Sequence, residues 1–104
     1  MSHTRAEPAT AYIYVEMTIR DPDRFKEYTA LSAPAVHAAG GRYVVAGTRP
    51  EVLEGSFDAH RVVVVAFPTL EQARAFYNSA AYQAARRKRE GAAEFRMLLL
   101  EGAA

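Results

Sequence analysis

A carboxylate inside an apolar stretch is the first residue of this sequence that could do chemistry. Glu54 lies in the run Val52-Leu53-Glu54-Gly55, beside a glycine that lets the backbone approach a neighbour closely. Such a carboxylate could act as a general base on an enolisable or lactone-like substrate. It could equally be an edge-strand charge that discourages aggregation, or the partner of Arg61. If Arg61 is free, it could hold a ligand carboxylate through two parallel hydrogen bonds.

Histidines are the next candidates. His37 lies in the last turn of a predicted helix, where it could transfer protons near neutral pH or merely complement the negative helix end. His60 follows Asp58 in a polar turn, so we expect it to be solvated. The three histidines have no metal-ligand spacing and the sequence has no cysteine. We therefore predict no metal site and no resident cofactor. The sequence leaves open whether a flavin or haem binds transiently.

Polar aromatic residues form two further groups. Tyr14 and Glu16 lie on the polar face of the first predicted strand, where they could line a pocket or belong to an interface. Tyr77, Asn78 and Tyr82 surround a predicted break in the second helix, where exposed amides can bind an anion. The rings could instead pack this break while the asparagine caps a helix. The candidate catalytic residues are Glu54, His37 and Tyr14, and the candidate substrate-binding residues are Arg61, Tyr77, Asn78, Tyr82 and Glu16.

The elements that position these residues follow from hydrophobic patterning. Residues 11–20 alternate between apolar and polar side chains, which predicts a strand with one apolar face. Asp21-Pro22 begins a helix, because aspartate accepts hydrogen bonds at the N-cap and proline is tolerated at the first helical position. Gly40-Gly41 ends this helix. Pro34 interrupts it and predicts a kink or a break near Ser32 and Ala33.

The second half of the chain follows a similar pattern. Strands are predicted over residues 42–48, 61–67 and 95–101, with either a short edge strand or a structured loop over 51–57. Thr69-Leu70-Glu71-Gln72 is a capping box that begins the second helix, and Asn78-Ser79 divides that helix in two. The order β, α, β, β, α, β is that of a ferredoxin-like α+β sandwich, with two helices on one face of a four-stranded antiparallel sheet.

Two helices can cover only one face of such a sheet. The third and fourth strands carry apolar residues at both odd and even positions, so apolar side chains lie on both faces of the sheet. The face without helices therefore also needs a cover. We predict a homodimer through stacked sheet faces, with a ligand pocket under the helices or near the dimer seam. Residues 1–10 are expected to be a disordered arm, and residues 11–104 a single domain.

Composition limits the partners and the location. The 104 residues carry a net charge of +1, too little for the field that gathers nucleic acid or anionic lipid. No apolar run approaches the roughly 20 residues of a membrane span, and the first ten residues lack the apolar stretch of a signal peptide. The absence of cysteine fits a reducing compartment. We predict a cytoplasmic bacterial protein with no nucleic-acid or membrane partner.

Several short motifs resemble one known family. They are Asp21-Pro22 before a helix with Tyr28, Gly40-Gly41-Arg42-Tyr43, Val52-Leu53-Glu54-Gly55, Arg61-Val62-Val63 running to Phe67-Pro68, and Phe76-Tyr77-Asn78-Ser79 followed by Tyr82-Gln83 and Arg86. Their order and spacing resemble the domain-of-unknown-function family thirteen-thirty, which belongs to the dimeric α+β barrel superfamily. The resemblance implies the ferredoxin-like fold and a dimer. It implies no reaction.

Neighbouring families of that superfamily include antibiotic-biosynthesis-type monooxygenases, haem-degrading enzymes, muconolactone isomerases and stress-responsive barrel proteins, an analogy at the level of fold. This sequence has no tryptophan and no Asn, Trp and His set of the haem-degrading type. Two hypotheses follow. The chain is a metal-free enzyme for proton transfer or cofactor-independent oxidation of a small carboxylated or aromatic metabolite, or it is a non-catalytic dimer that binds a metabolite or a protein partner.

Overall fold

A computed structural model describes residues 11–103, which form one sheet and three helices. The elements are β1 (Ala11–Ile19), α1 (Pro22–Ala38), β2 (Arg42–Thr48), β3 (Arg61–Phe67), α2 (Leu70–Asn78), α3 (Ala80–Lys88) and β4 (Ala93–Glu101). All strand pairs are antiparallel, in the order β2-β3-β1-β4. This architecture confirms the predicted ferredoxin-like α+β sandwich. The predicted N-terminal arm, residues 1–10, lies outside the described residues.

The strand register divides the side chains between two faces of the sheet. Ile13 lies opposite Val65 and is buried, on the face that packs against the helices, which we call the covered face. Tyr14 lies opposite Val64 and Leu98 and is only partly buried, on the other face, which we call the open face. The buried residues of β1 are therefore the apolar ones that its sequence pattern predicts, and the polar ones lie on the open face.

The ends of α1 are built as the sequence predicts. The Asp21 side chain accepts a hydrogen bond from the Arg24 amide at 3.2 Å, and Pro22 occupies the first turn. At the other end, Gly40 has a φ of +84°, a left-handed conformation that closes the helix at little steric cost. The amides of Gly40 and Gly41 donate to the last turn in the two-bond pattern of a Schellman motif.

Of the predicted kink or break near Ser32 and Ala33, the break is not formed, because α1 continues through Pro34 to Ala38. Proline supplies no amide hydrogen for the carbonyl of Ala30, four residues earlier. Both residues are exposed, so water can bond to that carbonyl and the helix loses one hydrogen bond without a buried unpaired group. Residues 51–57 form no strand, which leaves the structured loop of the two alternatives.

Two side-chain caps define the second helical region. Thr69 Oγ1 accepts from the Gln72 amide at 3.0 Å and begins α2. Ser79 donates to the carbonyl of Phe76 at 2.7 Å and accepts from the Tyr82 amide at 3.1 Å, so one residue ends α2 and begins α3. The predicted division at Asn78-Ser79 is thereby confirmed.

The helices differ in how they contact the sheet. α1 packs mainly against α3, whereas α2 packs against β1, β3 and β4. The C-terminal end of α1 is held close to β3, because a Cβ atom on Gly41 would lie only 2.8 Å from the Phe67 ring. A space therefore remains between the body of α1 and the covered face. Within residues 11–103, no helix has the length and apolarity needed to cross a membrane.

Candidate functional site

A cavity of about 620 Å³ lies between α1 and the covered face, and its size is typical of small-molecule sites. Most of its wall is apolar and comes from all four strands and all three helices. Representative apolar lining residues are Val15, Met17, Phe25, Val36, Val63 and Phe95. The sheet supplies this wall because the covered-face positions of β1 and β3 carry aliphatic side chains.

Four hydroxyl groups, which we call the inner hydroxyls, belong to the lining residues Tyr28, Ser32, Tyr43 and Tyr82. The hydroxyl oxygens of Tyr28 and Tyr82 are 2.8 Å apart, and the Tyr82 hydroxyl also donates to Met97 Sδ at 3.5 Å. With Tyr82 donating to sulfur, Tyr28 is the donor of the tyrosine pair. Ser32, only 5 % exposed, lines the same cavity as these tyrosines.

Two of the inner hydroxyls, those of Tyr28 and Tyr43, keep their protons at neutral pH. Burial raises the pKa of Tyr28 far above its usual value, and the neighbouring Tyr82 raises it further. Burial also raises the pKa of Tyr43. The Ser32 hydroxyl lowers the pKa of both tyrosines, but by less than burial raises it. Neutral phenols in such a site can donate a hydrogen bond to a ligand oxygen but cannot remove a proton from it.

Four basic side chains, which we call the mouth residues, line the exposed end of the cavity: Lys26, Arg49, His60 and Arg61. Arg61 Nη1 donates to the carbonyl of Gly47 at 3.3 Å. His60 Nδ1 accepts from the Ile19 amide at 3.3 Å, so the neutral ring carries its proton on Nε2 and offers a further donor. His60 is exposed, as expected for a solvated residue, but it also lines the cavity.

Negative charge is missing from this site. None of the described residues that line the cavity is an aspartate or a glutamate. The ion pairs found within residues 11–103 join Arg20 to Glu94 at 2.9 Å and Arg96 to Glu16 at 4.0 Å, and neither pair includes a mouth residue. In the part of the chain that the structure describes, no group of three or more acidic or histidine side chains could hold a metal ion. The cavity therefore offers donors and positive charge to a ligand.

One more guanidinium lies behind the cavity wall. Arg89 stacks with its Cζ atom 3.9 Å from the centre of the Phe95 ring and 5.6 Å from that of Tyr28. Its Nη2 atom donates to Met97 Sδ at 3.8 Å, while its Nε atom is buried without a hydrogen-bond partner among the described residues. Stacking of a guanidinium on aromatic rings is favourable and orients the rings that form the wall.

Of the residues that the sequence singled out, Arg61 and Tyr82 line the cavity. Tyr77 and Asn78 lie instead at a second pocket of about 230 Å³, between α2 and β4. Asn78 is the last residue of α2, and the N-cap of α3 is Ser79. The ring of Tyr77 lies 5.6 Å from that of Tyr82, which agrees with the packing alternative for the aromatic residues at this break.

The other predicted residues lie away from the cavity. Tyr14 and Glu16 are on the open face, where the tyrosine hydroxyl donates to Glu16 Oε2 at 3.2 Å. Partial burial, followed by this hydrogen bond, raises the pKa of Tyr14. His37 is exposed at the end of α1, with its ring 6.0 Å from that of Tyr43. The structure thus separates the candidate catalytic residues from one another.

Glu54 is exposed in the loop formed by residues 49–60. The ion pair with Arg61, one of the alternatives for Glu54, is not formed within the described residues, and Arg61 donates instead to the carbonyl of Gly47. Arg49 and His60, at the two ends of this loop, are nevertheless both mouth residues. The loop therefore begins and ends at the cavity, although its central carboxylate lies outside it.

Sequence reasoning missed Tyr28, Ser32 and Tyr43 as site residues. A signal for the first two was present, because both lie on the inward face of a predicted helix that is otherwise apolar. A hydroxyl on such a face has to find a partner or a ligand. Tyr43 had no comparable signal, since an aromatic residue in a strand is common.

Comparison with known proteins places the chain among related folds. A family model described as "Domain of unknown function (DUF1330)" matches residues 10–103. A sequence search of curated proteins gives no match. A protein of unknown function from Rhodopseudomonas palustris is 17% identical, with 95% of this chain and 85% of that chain covered and a TM-score of 0.74.

Two further solved structures are informative. SnoaB, a cofactor-independent oxygenase from Streptomyces nogalater, is 12% identical over 93% of this chain and 96% of its own, with a TM-score of 0.61. A dimeric protein of unknown function with a ferredoxin-like fold from Bacteroides fragilis is 10% identical over 92% of this chain and 99% of its own, with a TM-score of 0.54. At these identities the likeness extends to the fold alone.

Proposed function

The chain belongs to the DUF1330 family, a family of unknown function, and from the chemistry of its cavity we propose that it binds a small, largely apolar molecule that carries an anionic group. One observation carries this proposal. The wall of the cavity is apolar, while its polar side chains are hydrogen-bond donors or cations and include no carboxylate among the described residues. Hydrogen bonds from charged donors to an anion are roughly twice as strong as neutral ones.

Binding can be tested with two probes of similar size. We expect 2-naphthoate to bind and to raise the melting temperature, and uncharged 2-naphthalenemethanol to bind about tenfold more weakly, as calorimetry would measure. Equal affinity for the two probes would contradict the role of the anionic group. If neither probe binds, and a broader set of aromatic and aliphatic acids also fails, the proposal is wrong.

The enzyme hypothesis adds a reaction to this binding, either proton transfer or cofactor-independent oxidation. Its support is the fold shared with SnoaB, which is described as a cofactor-independent oxygenase, together with the inner hydroxyls. A neutral donor beside a ligand oxygen stabilises the partial negative charge that develops on this oxygen as a proton is lost to form an enolate or phenolate. Such an anion is electron-rich enough to react with dioxygen, which would convert a ring-activated CH₂ group and O₂ into a carbonyl group and water.

The proton also needs an acceptor. Since the lining side chains within residues 11–103 include no carboxylate, we place the base outside the lining, at Glu54 on the loop that begins and ends at the mouth. His37 and Tyr14, the other catalytic candidates, lie away from the cavity. Glu51, exposed in the same loop, is a matched control.

Turnover can be tested with anthrone-2-carboxylate, which carries a ring-activated CH₂ group and the anionic group that the proposed binding requires. We expect oxygen uptake above the buffer rate, lost in Glu54→Gln and retained in Glu51→Gln. Under nitrogen in deuterated buffer, NMR would detect proton transfer as protein-catalysed exchange at the same carbon. If acids bind but no probe shows uptake or exchange, the second function remains, a non-catalytic metabolite-binding dimer.

Homodimerisation through the open face is part of either function. Leu98 and Leu100 of β4 are 48 % and 44 % exposed on that face, and the half-buried Val62 and Val64 of β3 lie on the other side of Tyr12 and Tyr14 of β1. A contiguous apolar surface of this kind is typical of a protein interface. The similar fold from Bacteroides fragilis is described as dimeric. Light scattering should give twice the chain mass of 11.5 kDa, and a monomer at micromolar concentration would contradict the dimer.

A cytoplasmic location, without nucleic-acid or membrane partners, accompanies this proposal. It is supported by the absence of cysteine and by the near-neutral charge of the sequence.

A further inference from the structure

The polar groups of the cavity are divided between its two ends, and the strand register shows which end each group occupies. On β3, Arg61 lies opposite Met17 at the mouth, while Val65 lies opposite Ile13 further in. Tyr43 on β2 lies opposite Val65 and therefore belongs to the inner end. Four strand residues separate the two ends, a distance of about 13 Å.

Helix α1 shows the same division. Lys26, in its second turn, is a mouth residue, and Ser32, six residues later, is one of the inner hydroxyls. Six helical residues span about 9 Å along the axis. The cavity between these two levels is lined by aliphatic and aromatic groups, including Val15, Val63 and Phe95.

The two ends differ in charge and in solvation. The mouth residues are exposed, and they form no ion pair among the described residues, so they can hold a carboxylate that stays partly solvated. At the inner end, Ser32 and Tyr82 are buried. A full negative charge there would lose its hydration, and only neutral hydrogen-bond donors would replace the water. An uncharged oxygen, by contrast, needs just one donor.

Tyr43 is the inner hydroxyl best placed to supply that donor. Tyr28 and Tyr82 use their hydroxyl protons on each other and on Met97. Ser32 lowers the pKa of both Tyr28 and Tyr43, as a hydroxyl that favours the ionised phenol does. Among the described residues, no hydrogen bond from the Tyr43 hydroxyl to a protein acceptor is formed. The proton of Tyr43 remains available to a ligand.

On the basis of the proposed function, we infer that the ligand is an elongated aromatic or unsaturated acid with two polar ends. Its carboxylate lies at the mouth, near Arg61, and an uncharged phenol or carbonyl oxygen accepts a hydrogen bond from Tyr43 at the inner end. The oxygens at its two ends are about 9 to 13 Å apart, the separation of the two levels on α1 and β3.

Three biphenyl probes separate the contributions of the two ends. They are biphenyl-4-carboxylate, 4-hydroxybiphenyl, and 4′-hydroxybiphenyl-4-carboxylate, which carries both groups. On the unmodified protein, we expect the inner hydroxyl to improve the affinity of the acid about fivefold, as one neutral hydrogen bond does. Calorimetry on these probes needs no variant, so the comparison does not depend on whether a substitution folds.

Two variants then locate each end. Tyr43→Phe should remove the fivefold gain of the hydroxy acid and leave biphenyl-4-carboxylate unaffected. Arg61→Gln should weaken both acids about tenfold and leave 4-hydroxybiphenyl unaffected, as loss of one charge-assisted hydrogen bond predicts. Circular dichroism melts verify that both variants fold.

Failure of this inference can be told apart from failure of the proposed function. If biphenyl-4-carboxylate binds but the hydroxyl adds nothing, the ligand has one polar end, and the inference is wrong while the proposed function stands. If Tyr43→Phe weakens biphenyl-4-carboxylate, the carboxylate lies at the inner end and the assigned direction is wrong. If no acid binds in preference to 4-hydroxybiphenyl, the proposed function itself fails.

Discussion

The two faces of the sheet use similar residue types in opposite ways. On the open face, Tyr14 donates to Glu16, which also lies 4.0 Å from Arg96, so a tyrosine, a carboxylate and a cation satisfy one another. Above the covered face, Tyr28 and Tyr82 hydrogen-bond to each other and to a methionine sulfur, and Arg61 donates to a backbone carbonyl. The covered face is therefore left with unpaired positive charge around a cavity, whereas on the open face Tyr14, Glu16 and Arg96 have one another as partners.

This difference indicates what each face is built to contact. Balanced polar groups among exposed leucines suit a protein surface, because they need no new partner when water is removed. Unbalanced donors around an apolar cavity suit an anionic small molecule. The same sheet can serve both purposes because successive side chains of a strand point to opposite faces.

The largest expected effect concerns the open face. Leu98→Glu should convert the proposed dimer into a monomer, because a buried unpaired carboxylate costs several kcal/mol at an interface. Light scattering would report the loss of half the mass. Leu31→Glu is the matched control, since Leu31 is 41 % exposed on α1, on the other side of the molecule. A variant at Leu98 that stays dimeric would place the interface elsewhere.

Next in size is an effect on the close contact between Gly41, after the end of α1, and Phe67 on β3. Gly41→Ala would place a Cβ atom 2.8 Å from the Phe67 ring, and the resulting overpacking should lower the free energy of unfolding by about 1–3 kcal/mol. Denaturant unfolding would measure the change. Adding Phe67→Leu should recover part of the loss, since it removes the ring. If the two substitutions act additively, the close contact is not the cause.

The unbalanced charge of the covered face gives the third prediction. Arg61→Gln should weaken 2-naphthoate binding about tenfold, which corresponds to about 1.4 kcal/mol. Arg96→Gln makes the same chemical change on the open face and should leave this affinity unaffected, because Arg96 faces Glu16. Equal losses in the two variants would mean that only overall charge attracts the acid.

The fold could be predicted because its signals are local. Alternation fixes the faces of β1, and Asp21, Thr69 and Ser79 cap their helices through contacts within three residues. The break that was one alternative near Ser32 and Ala33 is not formed, and the reason is energetic. A lost hydrogen bond at an exposed carbonyl costs too little to end a helix that is capped and packed at both ends.

The site could be predicted only in part because it depends on distant contacts. Arg61 and Tyr82 were identified from their types and positions, but Tyr43 reaches the cavity only through its pairing with Val65. Glu54 stood out in the sequence because a charge among apolar residues is conspicuous. Its exposed loop position cannot be inferred from that pattern, since a loop of residues 49–60 has no periodicity to orient it.

The smallest expected effect compares two tyrosines, one on each face, at alkaline pH. Burial raises the pKa of Tyr28 far above the usual value of about 10, so the folded protein keeps this proton while the unfolded chain loses it. Unfolding then releases a proton, and the free energy of unfolding falls as the pH rises above 10. At pH 10.5 the loss due to Tyr28 should be about 0.8 kcal/mol, and below pH 9 it should vanish.

Tyr28→Phe should therefore flatten the decline of stability between pH 9 and pH 10.5, as guanidinium unfolding at several pH values would show. Its constant cost from the lost hydrogen bond to Tyr82 cancels when each variant is compared with itself across pH. Tyr14→Phe makes the same chemical change on the open face. It should flatten the decline of stability with pH much less, because Tyr14 is more exposed and its pKa is not raised by a neighbouring tyrosine. Equal effects in the two variants would mean that Tyr14 and Tyr28 are buried to the same degree. That result is expected if the sheet of a second subunit excludes water from the open face as fully as the helices exclude it from the covered face.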